Sequence, residues 1–125
     1  MVRMTQQRRA ILDALEQTGR PLSPTEILEV AQDSVPSLSL PTVYRNLKLL
    51  LQGEGIIAVD VPGQPPRYEL SGMEHHHHFL CKICNRLFDL AGCPGTFAGL
   101  APRGFTVSGH DLLLTGRCRS CKTAR

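Results

Sequence analysis

Two Cys-x-x-Cys pairs stand far apart in the sequence. Cys81 and Cys84 form the first pair, and Cys118 and Cys121 form the second, with residues 85–117 between them. Each pair can present two thiolates to one metal ion, and two pairs complete a tetrahedral shell without an open position. Disulfides are rare in the cytosol, and a thioredoxin-like pair needs a βαβ context that this sequence lacks. The pattern therefore predicts one structural Zn²⁺ held by four cysteines.

Four consecutive histidines, residues 75–78, run into the first cysteine pair. Alternate residues of a strand face opposite sides, so we expect His76 and His78 on one side and His75 and His77 on the other. The run therefore predicts two separate clusters of nitrogen donors, each completed from elsewhere in the chain. The candidate partners are Glu69, Asp89 and His110.

Other interpretations of the histidine run are a solvated patch, a purification tag or a hydrolytic metal site. Tags usually stand at a terminus, whereas this run is internal and adjoins a pair of metal-ligand candidates. The sequence has no His-Glu-x-x-His motif and no helix that would carry one, so we predict no enzyme activity and no small-molecule substrate. The fifth cysteine, Cys93, is either a further ligand or a small buried apolar residue.

The elements expected around these residues divide the chain into two modules of an α+β fold. Residues 1–70 read as three helices followed by a β-hairpin, which together predict a winged helix–turn–helix. Ser23 and Glu26 predict a capping box at the start of the second helix. Residues 71–74 form a predicted hinge, and residues 75–125 read as short strands, the last two on either side of Gly109. A metal ion held by Glu69, His76 and His78 would fix the angle between the modules.

The third helix combines an apolar stripe with a polar face. A DNA recognition helix needs side chains near its N-terminus that reach base edges, flanked by groups that bind phosphate. Arg45 would hydrogen-bond to guanine, Tyr44 would pack on a thymine methyl group, and Arg67 on the wing would contact the DNA backbone. The remaining candidates for this interface are Thr42, Asn46, Lys48, and Arg8 or Arg9. The alternative is a solvated face on a winged helix that binds another protein.

The charge is unevenly divided along the 125 residues. The formal net charge is +3, with 7 Lys+Arg and 9 Asp+Glu in residues 1–74 but 7 and 2 in residues 75–125. Neither module has the charge expected of a protein that coats nucleic acid irrespective of sequence. No segment resembles a signal peptide or approaches the ~18 apolar residues of a membrane span. We therefore expect a cytoplasmic protein without membrane contact.

Taken together, these features resemble the ferric uptake regulator (Fur) family of bacterial metal-responsive repressors. The matching stretches are TQQRRAILDAL, LPTVYRNLKLLLQGEGII, RYEL, HHHHFLCKICNRLFDL and GHDLLLTGRCRSC, and they span nearly the whole chain in the family's order. The resemblance implies an N-terminal winged helix and a small C-terminal α/β dimerisation domain with a four-cysteine zinc clip. It also implies a homodimer that binds a palindromic operator in double-stranded DNA when a divalent metal is bound.

The resemblance also implies a distribution of metal ligands. It assigns structural zinc to the four paired cysteines, a regulatory metal to Glu69, His76, His78 and Asp89, and a further site to His75, His77 and His110. The carboxylate usual in that further site has no match here, because Thr96 stands near its place.

The regulatory site departs from the subgroups of the family. Pro21 or Leu22 stands where many iron and peroxide sensors supply a histidine, and Leu70 or Ser71 stands where zinc-sensing relatives supply a cysteine. Two imidazoles and two carboxylates suit tetrahedral zinc, so we expect Zn²⁺, as in a zinc-sensing (Zur-like) member, with Fe²⁺ or Mn²⁺ as alternatives. The alternative function is a zinc-stabilised winged-helix module that binds protein without sequence-specific DNA binding.

Overall fold

Three helices and a β-hairpin build the N-terminal part of the chain. In the computed structural model, which describes residues 2–121 and the side chains of residues 6–121, α1 spans Val2–Thr18, α2 spans Pro24–Ala31 and α3 spans Leu40–Gln52. Strands β1 (Ile56–Val61) and β2 (Gln64–Leu70) pair antiparallel to form the hairpin. This arrangement is the predicted winged helix–turn–helix.

The two later helices begin at serine caps. The Ser23 side chain accepts a hydrogen bond from the Glu26 backbone N–H at 3.2 Å, and the Glu26 carboxylate accepts one from the Ser23 N–H at 3.0 Å. This is the predicted capping box, which satisfies two N–H groups that the first helical turn leaves unpaired. Ser39 caps α3 by accepting from the Thr42 N–H, so the start of α3 is fixed beside the polar residues predicted to meet DNA.

The core of this part forms where apolar faces of the helices meet the hairpin. Buried side chains recur along α1 and α3 at helical spacing, and they pack around Leu22, Ile27 and Ile56. Leu22 also joins the wing through two backbone hydrogen bonds with Tyr68, of 2.9 and 2.8 Å. The hairpin is thereby tied to the helical core and does not depend on its own two strands for stability.

A three-stranded sheet organises the C-terminal part. Strand β3 (His77–Cys81) lies between β4 (Leu87–Leu90) and β5 (Leu113–Gly116). Strand β4 is antiparallel to β3, whereas β5 is parallel to it. Short 3₁₀ turns occupy Ala98–Leu100 and Arg119–Cys121. The stretch 105–109 is not a strand, which corrects the expectation of strands on both sides of Gly109.

The chain divides into two compact units, Met1–Met73 and Glu74–Arg125. The second unit has few buried apolar side chains among its described residues, chiefly Leu80, Cys81 and Leu87. A unit of this size cannot bury enough surface to be stable by core packing alone, and structural metals commonly compensate. Among residues 2–121, no helix combines the length and the apolar character that crossing a membrane requires.

Candidate metal centres and nucleic-acid interface

The parallel pairing of β5 with β3 brings the two Cys-x-x-Cys pairs together. Cys81 ends β3 and lies opposite Gly116 of β5, so the turn that follows each strand emerges at the same end of the sheet. Asn85, at φ 63°, reverses the chain after the first pair, and its N–H donates to the Cys81 carbonyl at 2.8 Å. The four Sγ atoms lie within 4.8 Å of one another, with Cys84 and Cys118 only 3.8 Å apart.

The electrostatics of this cluster favour a bound cation. Backbone N–H groups of Cys84 and Cys118 donate to the Cys81 Sγ at 3.4 Å each. The Cys84 contact is the main cause that lowers the pKa of Cys81 to about 6, although burial opposes it. Burial, together with the neighbouring thiols, raises the pKa of Cys121 to about 12. Four thiols this close cannot all ionise without a compensating cation, so the sulfur set fits a closed zinc site.

A second cluster lies before the N-terminal end of β5, where His110 approaches the odd-numbered histidines. The Nε2 atoms of His75, His77 and His110 are 3.0–3.2 Å apart. Burial, followed by the neighbouring imidazoles of His75 and His110, lowers the pKa of His77. A histidine held neutral in this way keeps the lone pair that a metal needs. Cys93 joins the same cluster and is exposed, so it is not the small buried apolar residue that was the alternative to a further ligand.

A third cluster involves the even-numbered histidines. The Nε2 atoms of His76 and His78 lie 3.4 and 3.3 Å from the Asp89 Oδ1, because His78 pairs with Asp89 across β3 and β4. The His76 Nδ1 is 2.7 Å from the Glu74 carbonyl oxygen. Since a carbonyl only accepts, this contact places a proton on Nδ1 and turns the Nε2 lone pair towards the carboxylate. Two such donors around one carboxylate fit a divalent cation.

Glu69 belongs to the first unit. It lies on β2 and is buried. Its assignment to the regulatory site with His76, His78 and Asp89 stays a prediction from the sequence.

Helix α3 presents part of the predicted DNA-binding face. Tyr44 is 51% exposed, and Arg45 and Lys48 are exposed beside it. The Arg45 guanidinium donates to the Thr42 Oγ1 at 2.9 Å, so its planar group is held near the helix N-terminus. Such a guanidinium suits bidentate bonding to guanine, and the Lys48 ammonium suits a phosphate. On α1, Arg9 is exposed and Arg8 is half-buried.

Two residues predicted for the DNA interface face inward. Asn46 is 3% exposed, and its amide donates to the Thr42 carbonyl at 2.9 Å. It stands three residues after Val43, so helical periodicity turns it towards the apolar stripe. Arg67 is 4% exposed and donates to the Gln64 Oε1 at 2.7 Å. It shares the buried face of β2 with Glu69 because side chains of a strand alternate. Neither side chain is presented to DNA in this arrangement.

Known proteins resemble the chain over most of its length. Residues 1–113 match the sequence pattern of the ferric uptake regulator family. The ferric uptake regulation protein of Campylobacter jejuni is 27% identical over 129 residues, covering 99% of this chain and 82% of the relative. The peroxide operon regulator of Bacillus subtilis is 29% identical over 124 residues, covering 96% and 84%.

Solved structures agree with the sequence comparisons. A zinc-bound manganese uptake regulator superimposes with a TM-score of 0.76 at 27% identity, covering 90% of this chain and 87% of that one. The winged helix and both histidine clusters lie within residues 1–113, which match the family, whereas Cys118 and Cys121 follow that stretch. The chain therefore belongs to the ferric uptake regulator family, and it is a metal-responsive transcription regulator rather than an enzyme.

Proposed function

We propose that this protein is a repressor that binds a palindromic operator as a homodimer when a divalent metal occupies a site containing His76, His78 and Asp89. The observation that carries the proposal is the convergence of both Nε2 atoms on one Asp89 oxygen, at 3.4 and 3.3 Å. Glu69 is included as the fourth ligand on the sequence argument alone. The cysteine cluster holds a separate structural Zn²⁺, which leaves the histidine site free to respond to metal supply.

The donor set favours Zn²⁺ as the regulatory metal. Two imidazoles and two carboxylates complete a tetrahedral shell. Fe²⁺ and Mn²⁺ prefer more ligands, and Pro21 and Leu22 supply none where iron-sensing members of the family have a histidine. The names of the relatives cover iron uptake, peroxide response and manganese uptake, so they do not select a metal. The preference for zinc therefore rests on the ligands of this chain.

Operator recognition is assigned to the exposed N-terminal half of α3. Arg45, oriented by Thr42, reads guanine in the major groove, and Tyr44 packs beside it on a thymine methyl group. Lys48 and an arginine of α1 bind phosphates, which position the helix without adding sequence preference. Two copies of this helix, related by a twofold axis, match the symmetry of a palindromic operator.

A homodimer is supported by apolar residues that the second unit leaves exposed. Leu100 is 82% exposed and Phe105 is 70% exposed, and Leu114 on the outer strand β5 is exposed as well. Several large exposed apolar side chains on so small a unit are typical of an interface. A second copy of the same surface can cover them, which is how twofold-symmetric dimers bury self-complementary patches.

Metal and DNA binding are coupled through their preference for one arrangement of the protein. A ligand shifts an equilibrium only by the difference between its affinities for the two states. The metal therefore tightens operator binding to the extent that it favours the DNA-binding arrangement, and operator DNA tightens metal binding by the same factor. A coupling of ~1–3 kcal/mol corresponds to about 5- to 150-fold in affinity.

The test is a titration of operator affinity against buffered free Zn²⁺, Fe²⁺ and Mn²⁺, using DNA from upstream of the protein's own gene. The His76→Ala/His78→Ala variant should lose the metal response while it keeps the zinc of the cysteine cluster. The Tyr44→Ala/Arg45→Ala variant should bind metal normally but lose its preference for the operator, at ~1–3 kcal/mol per base contact.

The matched control is His75→Ala/His77→Ala, which removes the same number of imidazoles from the other side of the strand. It should change the metal response less than the His76/His78 variant does. A normal response in the His76/His78 variant would place the sensor elsewhere. Absence of operator binding by the parent protein with every metal would instead favour a protein-binding module.

A further inference from the structure

Cys93 lies in the exposed segment that follows β4, where residues 91–96 are all exposed. No neighbouring cysteine in the sequence forms a third pair with it. Its Sγ nevertheless lies 3.3 Å from the His77 Nε2 and 3.1 Å from the His110 Nε2. An exposed thiol is therefore held against two imidazoles from distant parts of the second unit.

The three imidazoles form nearly an equilateral triangle of Nε2 atoms. The separations are 3.0 Å between His75 and His77, 3.2 Å between His75 and His110, and 3.1 Å between His77 and His110. Ligand nitrogens bound at 2.0–2.1 Å to one tetrahedral zinc lie about 3.3 Å apart. Three N–H groups or three lone pairs that point at one another cannot all be satisfied by mutual hydrogen bonds. One cation in their midst satisfies every lone pair.

We propose that Cys93 is the fourth ligand of a closed site with His75, His77 and His110, and that this site takes Zn²⁺ in preference to Mn²⁺ or Fe²⁺. The four donor atoms lie within 4.8 Å of one another. The site is distinct from the cysteine cluster and from the His76/His78 site, and the proposal does not depend on the regulatory function assigned above.

The chemistry of the fourth donor decides the metal preference. Thiolate is a soft ligand that favours zinc, whereas a carboxylate in the same place would suit harder ions such as Mn²⁺. Thr96, near the place where the resemblance implies a carboxylate, is engaged otherwise, because its Oγ1 accepts from the Ala98 N–H at 3.4 Å. The Cys93 thiol donates to the Gly95 carbonyl at 3.1 Å. When a metal binds, the thiol proton is released to solvent, the bond to Gly95 is lost and the thiolate becomes available as a ligand beside the imidazoles.

The surroundings position the ligands for this role. Phe97 adopts a left-handed backbone conformation, at φ 59°, and its ring packs edge-to-face on His110 with centroids 4.8 Å apart. Such a conformation costs roughly 1–2 kcal/mol in a residue with a side chain. The long connection from β4 to β5 contains only one 3₁₀ turn among its described elements. A metal bound by Cys93 and His110 would anchor both ends of that connection to β3.

The test uses the full chain carrying His76→Ala/His78→Ala, with zinc retained in the cysteine cluster. Added Co²⁺ should bind once more per chain, with tetrahedral visible bands and a near-ultraviolet thiolate-to-cobalt absorption. Adding Cys93→Ser to this variant should remove the near-ultraviolet absorption. It should also weaken Zn²⁺ binding at this site by at least about tenfold. The Cys93→Asp variant should still bind Co²⁺ but without the thiolate-to-cobalt absorption. The ratio of its Zn²⁺ affinity to its Mn²⁺ affinity should be smaller than that of the protein with Cys93.

An alkylation experiment provides the matched control. Zn²⁺ should slow the reaction of Cys93 with iodoacetamide, and His110→Ala should abolish this protection. Because Cys93 is at the surface, its replacement by Ser should leave folding intact, as thermal unfolding can verify. Equal Zn²⁺ affinity in the Cys93→Ser variant, or alkylation that Zn²⁺ does not slow, would overturn the assignment and leave Cys93 as a thiol that only hydrogen-bonds to Gly95.

Discussion

Cys118 contacts both cysteines of the first Cys-x-x-Cys pair. Its N–H donates to the Cys81 Sγ at 3.4 Å, and its own Sγ lies 3.8 Å from Cys84. Cys118→Ser should release about one zinc per chain and loosen β3, β4 and β5, because binding and folding are coupled in such sites. Zinc content and amide hydrogen exchange measure the two effects. Cys93→Ser is the control and should keep this zinc. Retention of the zinc and of strand protection by Cys118→Ser would refute the four-cysteine site.

At the residue scale, ligand types were predictable but some orientations were not. The sequence placed the alternate histidines on opposite sides, and the structure separates them into two clusters. The inward orientation of Asn46 and Arg67 does not follow from their residue types, which favour the surface, but from the periodicity of the helix and strand that carry them. Spacing from Val43 would have shown that Asn46 faces the core. Cys93 had no such signal, since its contacts depend on the course of an irregular segment.

At the element scale, the capping box of α2 makes the first unit sensitive to acid. Burial raises the pKa of Glu26, but the Ser23 backbone N–H and Arg20, whose guanidinium lies 2.9 Å away, outweigh it and leave the pKa below its usual value. A carboxylate with a lowered folded-state pKa stabilises the fold above its unfolded-state pKa. That stabilisation is lost as the pH falls through the folded-state value.

Glu26→Gln should therefore destabilise the first unit near neutral pH, and the difference from the parent should shrink as the pH falls below about 4. Gln can keep the hydrogen bond to the Ser23 N–H but loses the ion pair with Arg20, and the loss of stability should be about 0.5–1 kcal/mol. Thermal unfolding at a series of pH values measures it. Glu29→Gln, an exposed change on the same helix, should show no comparable pH dependence. If the stability difference between the parent and the Glu26→Gln variant grew towards low pH, the ionised Glu26 carboxylate would not be the stabilising form.

The elements of the first unit followed from local signals, whereas those of the second did not. Serine caps, Pro24 and Pro41, and the apolar spacing of the helices specify where α2 and α3 begin and which faces they bury. Strand β5 was expected within a longer pair of strands around Gly109. In the described sheet β5 pairs only with β3, and this pairing extends over four residues of each strand. Pairing partners are not local, so the sequence alone could not fix the length of that strand.

At the scale of the whole molecule, the proposed dimer predicts a specific sensitivity to charge. Phe105→Asp should raise the dimer dissociation constant by at least about tenfold, because a carboxylate buried in an apolar interface loses its hydration. Operator affinity should fall with it, while the zinc of the cysteine cluster is retained. Analytical ultracentrifugation and metal analysis provide the readouts. Ile57→Asp, at an exposed apolar position of β1, is the control. If the Phe105→Asp variant dimerised as tightly as the parent, the surface around Phe105 would not be the dimer interface.

Strand β3 has a ligand cluster at each of its ends, and β5 contributes to both. His110 precedes β5 and meets the histidine run, whereas Cys118 follows β5 and meets Cys81. One extra or missing residue within Leu113–Gly116 would displace one cluster by about 3.3 Å and turn the following side chains to the opposite face. Metal–ligand distances can deviate from their ideal values by only about 0.2 Å. This short segment should therefore reject insertions and deletions, even at positions where its exposed side chains accept substitution freely.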